Sequence, residues 1–270
     1  MYTHLRKLET ELTLKAYAAN TIRTYINHVK LFLQHFAREP DEITEQEIKD
    51  YLKSSQSQAQ LKQRIGALKY FYTAVVKQPL KFRYIEYPRR ESKLPQLLSQ
   101  DEIREIFAVC TNTKHRAILF LMYSTGMRES EIINLRIADI DSSRMLIHIR
   151  NGKGARDRFV PLSENTLTLL RQYFREYTPR EYLFNGQFSP RYSATSIQAI
   201  AKKYARLAGI SKRVYPHLIR HCSATHLYEA GTDISIIQRM LGHRSHKTTM
   251  RYAQMSNRFL SKIKTPDSFL

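Results

Sequence analysis

The chain has 270 residues, enough for two domains that each bury a core. Hydrophobic residues make up 42% of it, which excludes a disordered tail, and a formal net charge of +20 with a pI of about 10.0 points to a polyanionic partner, nucleic acid before any other. Met1-Tyr2-Thr3-His4-Leu5-Arg6 has no apolar signal core, no apolar run is long enough for a membrane span, and the cysteines are only Cys110 and Cys222; a soluble, cytoplasmic protein without a disulfide framework is expected.

The basic excess is spread along the chain, net +7 over residues 1–90 and net +13 over the remainder, so both halves are candidates to touch a phosphate backbone. Residues 1–86 read as all-helical. A first clear helix starts with Asn20 as its capping residue and places Ile22, Tyr25, Ile26, Val29, Phe32, Leu33 and Phe36 at helical spacing. A second starts near Thr44, with Ile48, Tyr51 and Leu52 inward. A third runs from Ala59 to Val76, with Leu61, Ile65, Leu68, Phe71, Tyr72 and Val75 on one face and Lys62, Arg64 and Lys69 on the other. Those three cations are either a solvated surface or a DNA contact. Residues 88–95, with two prolines and no apolar periodicity, read as a basic linker between a domain over 1–87 and another over 96–270.

Beyond the linker, Ser99-Gln100-Asp101-Glu102 is a helix start of capping-box type, and His115 to Tyr123 forms a strongly apolar helix central to the second core. Met145–Ile149 and Arg158–Leu162 are strand-like, with Asn151-Gly152 between them as a hairpin signal. From Glu164 the pattern is helical again up to the C-terminus. The expected fold class is therefore mainly α: an all-α N-terminal domain, then a mostly α domain with one small antiparallel β-sheet.

Four segments could carry chemistry. In Thr125-Gly126-Met127-Arg128-Glu129-Ser130-Glu131, the glycine ends one helix and the next begins at once, which sets Arg128 at a helix N-terminus with Glu131 one turn on. In Asn151-Gly152-Lys153-Gly154, a lysine between glycines has little steric shielding. His217-Leu218-Ile219-Arg220-His221, followed by His226, puts His217 and Arg220 one turn apart, able to address one phosphate. His217 and His221 have the spacing of metal ligands, but no glutamate lies between them and no acidic cluster is nearby, so no metal site is expected. The fourth segment is Met240-Leu241-Gly242-His243-Arg244-Ser245 with Lys247-Thr248-Thr249-Met250-Arg251-Tyr252-Ala253. Taken singly, each has an ordinary reading: a helix corner, a solvated turn, a packed aromatic among 17 tyrosines.

Together and in this order, TGMRESE, NGKG, HLIRHCSATH and LGHRSHKTTMRYA resemble the tyrosine recombinase (phage integrase) family, which includes the Xer recombinases. The resemblance runs from about Leu94 to Ala253 and extends more weakly to TIRTYINHVKLFLQHF and RIGALKYFY, which look like the family's core-binding domain. It departs where the family often has a second lysine after the hairpin lysine and this chain has Arg156; no arm-binding domain is expected ahead of the helices, which leans towards a simple Xer-like system or a small mobile-element enzyme.

The resemblance implies a site-specific recombinase that breaks and rejoins DNA through a 3′-phosphotyrosyl link, without metal or cofactor. It makes Tyr252 the nucleophile, Arg128 and Arg220 the phosphate clamp, His243 a further hydrogen-bond donor, His217 the proton acceptor, Lys153 the general acid and Glu131 an orienting group. It also implies double-stranded DNA and a tetramer of this chain on paired sites as partners, with room for accessory DNA-bending proteins, and a C-terminal tail whose Phe259, Leu260 and Ile263 dock on a neighbouring subunit. Base readout is expected from Lys62, Arg64 and Lys69 and from helices of the second domain. Three other readings remain open on the sequence: a topoisomerase-like enzyme with the same cleavage chemistry, a DNA-binding protein with a dead site, and a metal-dependent nuclease.

Overall fold

A computed structural model describes residues 2–88, 96–152, 156–243, 245, 249–250 and 252. The chain divides into two units, Met1–Ser92 and Lys93–Leu270. Of the expected linker, residues 89–95 lie outside the described residues.

The described part of the first unit is helical throughout. It comprises α1 (Tyr2–Leu14), α2 (Ala19–Phe36), α3 (Glu45–Lys53) and α4 (Gln58–Phe71), followed by a π-helical turn (Tyr72–Val76) and a 3-10 turn (Pro79–Phe82). The expected apolar stripes form its core: Val29, Phe32 and Leu33 of α2, Ile48, Tyr51 and Leu52 of α3, and Ile65, Leu68 and Phe71 of α4 are buried around Leu8 and Leu12 of α1. Each such aliphatic side chain removed from water contributes about 1.5–3 kcal/mol. α3 starts where the sequence places it, with a reciprocal capping box between Thr44 and Glu47. α2 differs. Its N-cap is Ala18 and no side chain caps it, because the backbone turns helical at Ala19, one residue before Asn20, whose carboxamide instead accepts from Arg23 at 2.8 Å.

The second unit begins with α5 (Gln100–Ala108), capped reciprocally by Ser99 and Glu102. α6 (Thr113–Thr125), capped by Asn112, buries Ala117, Ile118, Leu119, Leu121 and Met122 in the middle of the core. α7 (Glu129–Asn134) follows after three residues. The sheet comes next, antiparallel in the order β1 (Ile140–Asp141), β2 (Leu146–Gly152), β3 (Arg156–Pro161). Alternation sends Ile147, Ile149 and Val160 inward, while His148 and Phe159 stack on the other face with ring centroids 4.7 Å apart. β1 goes beyond the sequence expectation; two residues are too few to show a period. α8 (Glu164–Tyr177), α9 (Ala194–Leu207), α10 (Pro216–Glu229) and α11 (Ile234–Leu241) complete the described fold. The expectation of helix throughout this region fails over 178–193, where Thr178 takes a left-handed conformation before Pro179, and Gly186 and Pro190 break any further helical run.

α10 passes through the unit's interior. Leu218, Ile219, Arg220, Cys222, Ser223, Ala224, Thr225 and His226 are all buried. His226 is structural: its Nε2–H donates to the Leu98 carbonyl at 3.0 Å and its Nδ1 accepts from the Tyr123 hydroxyl at 2.8 Å. A fully engaged neutral imidazole results, and burial lowers its pKa. Among the described residues no helix is long and apolar enough to cross a membrane.

Candidate active site

The site is assembled from the ends of helices. α6 closes on Gly126 in the left-handed region, and its N–H returns to the Met122 carbonyl at 3.0 Å. Two residues later Arg128 is the N-cap of α7. Its backbone N–H donates to Glu131 Oε2 at 2.7 Å and its Nη1 to Oε1 at 2.8 Å. Arg158, the third residue of β3, grips the same carboxylate from the other side, Nη1 to Oε1 and Nη2 to Oε2, both 2.8 Å, while its Nε donates to the Met240 carbonyl at 2.8 Å. Glu131 is 8% exposed; burial alone raises a carboxyl pKa, but the Arg158 bonds and charge, joined by the backbone N–H and charge of Arg128, hold it below the ordinary glutamate value.

Arg220 is 1% exposed and the largest fully buried side chain among the described residues. It is held by backbone carbonyls: Nη1 donates to Gly126 O and Nη2 to Leu241 O, the latter at 2.7 Å. Burial lowers its pKa to about 10, with the neighbouring Arg128 acting in the same direction, so it stays charged near neutrality. The C-terminus of α11 thereby serves three guanidinium groups. Met240 O takes Arg158, Leu241 O takes Arg220, and Gly242 O receives Arg128 Nη2 at a long 3.4 Å. These carbonyls have no partner in their own helix and sit at the negative end of its dipole.

His243 follows directly. Its Nε2 lies 3.1 Å from Arg220 Nη2 and its Nδ1 lies 3.1 Å from the Thr249 hydroxyl. A guanidinium can only donate, so Nε2 accepts and the ring proton sits on Nδ1, donated to Thr249. Burial pushes the His243 pKa down to about 4, helped by Arg220 and Arg128. In this arrangement the nitrogen facing the arginine is an acceptor. Tyr252 is 1% exposed among Ala224, Ile237 and Leu241, with its ring 6.0 Å from that of His243 and nearly parallel to it. The His221 ring lies 5.5 Å from that of Tyr252, and His221 contacts exposed His217 at 4.3 Å.

The structure thus brings Arg128, Glu131, His217, Arg220, His243 and Tyr252 into one neighbourhood. The hairpin residue Lys153, the tail residues Phe259, Leu260 and Ile263, and the side chain of Arg156 lie outside the described residues. Among the described residues no cluster of three or more histidine, cysteine or acidic side chains could hold a metal. Sequence reasoning misses two members. It offers His221 only as a metal partner for His217, yet the His221 ring neighbours both that of His217 and that of Tyr252. It offers Arg158 only as the opening of a strand; the available signal is a charged residue directly ahead of the apolar run Phe159-Val160 of that strand.

The three cations of α4 do not form one surface. Lys62 and Lys69, seven residues apart, share a face. Arg64 points elsewhere: Nη1 donates to Ser54 Oγ at 3.1 Å and Ser55 Oγ at 3.2 Å, and its guanidinium lies 4.9 Å from the Tyr51 ring centroid. It serves as a tie to the end of α3. In the second unit, a groove of about 1250 Å³ beside His217 is lined by Lys202, Lys203, Arg206, Lys212 and Arg213.

Residues 96–258 match the phage integrase family, and residues 5–82 match the phage integrase N-terminal SAM-like domain. The tyrosine recombinase XerA of Pyrococcus horikoshii is 32% identical over 95% of this chain and 90% of its own length. A crystal structure of XerA recombinase is similar with a TM-score of 0.58 at 30% identity, covering 98% of this chain and 99% of that one. A lambda integrase dimer bound to a COC′ core site shares the fold, with a TM-score of 0.78 at 18% identity over 93% of this chain and 94% of that one. Spanned in both units by these matches, the chain belongs to the phage integrase family, as a tyrosine recombinase of the Xer type.

Proposed function

We propose that this recombinase acts on double-stranded DNA, with the phosphate of the cleaved strand lying against Arg128 and Arg220 and with Tyr252 as nucleophile. The observation that carries the reading is the convergence of two guanidinium groups, His243 and a buried tyrosine at the end of α11. Three guanidinium groups against the single carboxylate of Glu131 leave excess positive charge held by backbone carbonyls, a site prepared for an anion. Attack on phosphorus concentrates charge on the non-bridging oxygens, and a preset guanidinium fork stabilises that charge more than the ground state.

The Tyr252 Oη forms a bond to phosphorus, the bond from phosphorus to the 5′ oxygen breaks, and a 3′-phosphotyrosyl link remains. The phenol is a poor nucleophile until it loses its proton, and His217, whose ring contacts His221, itself 5.5 Å from the tyrosine ring, is the proposed acceptor. Lys153 returns a proton to the departing 5′ oxygen. Resealing is the reverse reaction with the 5′ hydroxyl of another strand, so the link conserves the bond energy. Once phosphate draws Arg220 away from Nε2, His243 can carry its proton there and donate, the role the family resemblance gives it. Pairing of sites calls for a tetramer, with the tail after Tyr252 docking on a neighbouring subunit and room for accessory proteins that bend the DNA. The groove at Lys202, Arg206 and Arg213 supports a phosphate-backbone track leading to His217. A DNA substrate and the buried free thiols of Cys110 and Cys222 fit a reducing cytoplasm.

The test is a labelled duplex carrying the recombination site, incubated in EDTA with wild type or Tyr252→Phe and resolved in SDS. A protein–DNA adduct with wild type alone supports the assignment; an adduct of equal yield with Tyr252→Phe refutes it.

A further inference from the structure

Arg158 is a charged side chain, 11% exposed, that enters the second unit from β3 and donates three hydrogen bonds inward to described residues. Two go to the two oxygens of Glu131, and the third goes to the end of α11. Glu131 uses its remaining capacity on Arg128, through the backbone N–H and through Nη1. The Arg128 side chain is 21% exposed, the most open of the three guanidinium groups, and beyond Glu131 it reaches Gly242 O only at the long 3.4 Å. What fixes its direction is the carboxylate, and what fixes the carboxylate is Arg158. Gly242 belongs to the same arrangement: a Cβ there would come within 3.2 Å of Arg158 Cδ and Nη1, so the absence of a side chain admits the guanidinium beside the helix end.

We propose that Arg158 is a positioning residue for strand cleavage: by locking Glu131 in a two-pronged pair and tying it to Met240, it holds Arg128 in the direction that meets the scissile phosphate. This rests on the recombinase reading of the site above. Arg158 itself touches no reacting atom. Its charge alone does not suffice, since a lysine ammonium cannot engage both carboxylate oxygens and the Met240 carbonyl with fixed geometry. Slack in the pair passes directly to Arg128, and a misplacement of about an ångström at a clamp costs on the order of a hundredfold in rate.

The experiment compares wild type, Arg158→Lys, Arg158→Gln, Glu131→Gln and the double variant Arg158→Lys/Glu131→Gln. The readouts are thermal melting, DNA affinity, and the single-turnover rate of adduct formation on a nicked suicide duplex. The expected result is folded protein with unchanged affinity and a cleavage rate lowered on the order of tenfold to a hundredfold in both Arg158 variants. The double variant should be no slower than Glu131→Gln, because Arg158 acts through that carboxylate. If Lys or Gln destabilises the unit, the double-variant comparison still decides the matter, being made at a temperature where all remain folded. A duplex with a bridging 5′ sulfur, whose thiolate leaves without a proton, should retain the defect, since Arg128 addresses non-bridging oxygens. Wild-type rates in Arg158→Lys, multiplicative losses in the double variant, or rescue by the sulfur substrate would each overturn the proposal while wild type still forms its adduct. An absent wild-type adduct would instead remove the recombinase reading, and the proposal with it.

Discussion

Gly126→Ala probes the site without touching a charged group. Gly126 has φ +61°, where an alanine costs about 1–2 kcal/mol, and its added Cβ would come 2.7 Å from Leu241 Cδ2. Leu241 is fully buried, so it cannot swing into solvent, and overpacking of this kind costs about 1–3 kcal/mol. The combined loss is about 2–5 kcal/mol. Gly209 supplies the control: it has φ +69°, and a Cβ added there would meet nothing within 4 Å, so Gly209→Ala carries only the backbone cost. For a unit of this size each kilocalorie lowers Tm by about 2–4 °C, so Gly126→Ala should melt on the order of 5–15 °C below wild type and clearly below Gly209→Ala. The two residues forced apart, Gly126 and Leu241, are also those whose carbonyls hold Arg220. Adduct formation at a temperature where both variants are folded should therefore fall on the order of tenfold to a hundredfold in Gly126→Ala and stay normal in Gly209→Ala. Equal melting of the two variants together with wild-type cleavage by Gly126→Ala would refute the argument that these helix ends position the arginine.

Other expectations follow from the same geometry. Because the pKa of His243 is depressed to about 4, the unfolded chain takes up that proton first; its stabilising contribution is complete above the ordinary histidine pKa of about 6.5 and is lost as pH falls towards 4, which urea unfolding against pH should show and His243→Gln should flatten. Glu131, lowered from its ordinary value, adds loss of the same sign at still lower pH. An NMR titration of the free protein should find His243 neutral with its proton on Nδ1 at pH 6, and a bound DNA phosphate should move its pKa upward. Replacing Lys62 and Lys69 together with glutamine should reduce the slope of log affinity against log salt by about 2 if both meet phosphates. Arg64→Gln should instead lower the melting temperature of the first unit and leave that slope unchanged.

Much of this is legible in the chain because the relevant signals are local. The Ser99 capping box, the helix start near Thr44, the apolar periods of α2 and α4, and the Gly126 stop before Arg128 each lie within one or two helical turns, and the structure shows each of them. What cannot be read depends on contacts between distant segments. Arg158 and Met240 are 82 residues apart, and Arg220 reaches back 94 residues to Gly126. The sequence reveals an arginine but not whether its partner is a phosphate, a carboxylate or a helix end. Arg64 shows the same limit in the other direction: on a basic helix it reads as a DNA contact, while the nearby end of α3 engages it. His243 takes its expected place beside the arginines, but which nitrogen holds the proton depends on Arg220, twenty-three residues earlier on another helix.

The arrangement also explains how a positively charged centre is kept folded without substrate. Burying Arg220 is costly, as its lowered pKa records, and a carboxylate partner would neutralise it and compete with the phosphate for its guanidinium. Backbone carbonyls at the ends of α6 and α11 avoid that competition. They satisfy the donors with partial charges and leave the net charge in place. The one carboxylate in the group among the described residues, Glu131, is engaged by Arg158 and Arg128, which would leave the proposed clamp oriented but unoccupied. A phosphate entering between Arg128 and Arg220 would then gain the full attraction of groups already desolvated and directed, and would stabilise the second unit in proportion to its affinity. On the proposed roles of Arg128 and Arg220, cleavage chemistry and substrate-linked stability would have a common origin in this choice of carbonyls over carboxylates as partners for the central arginine.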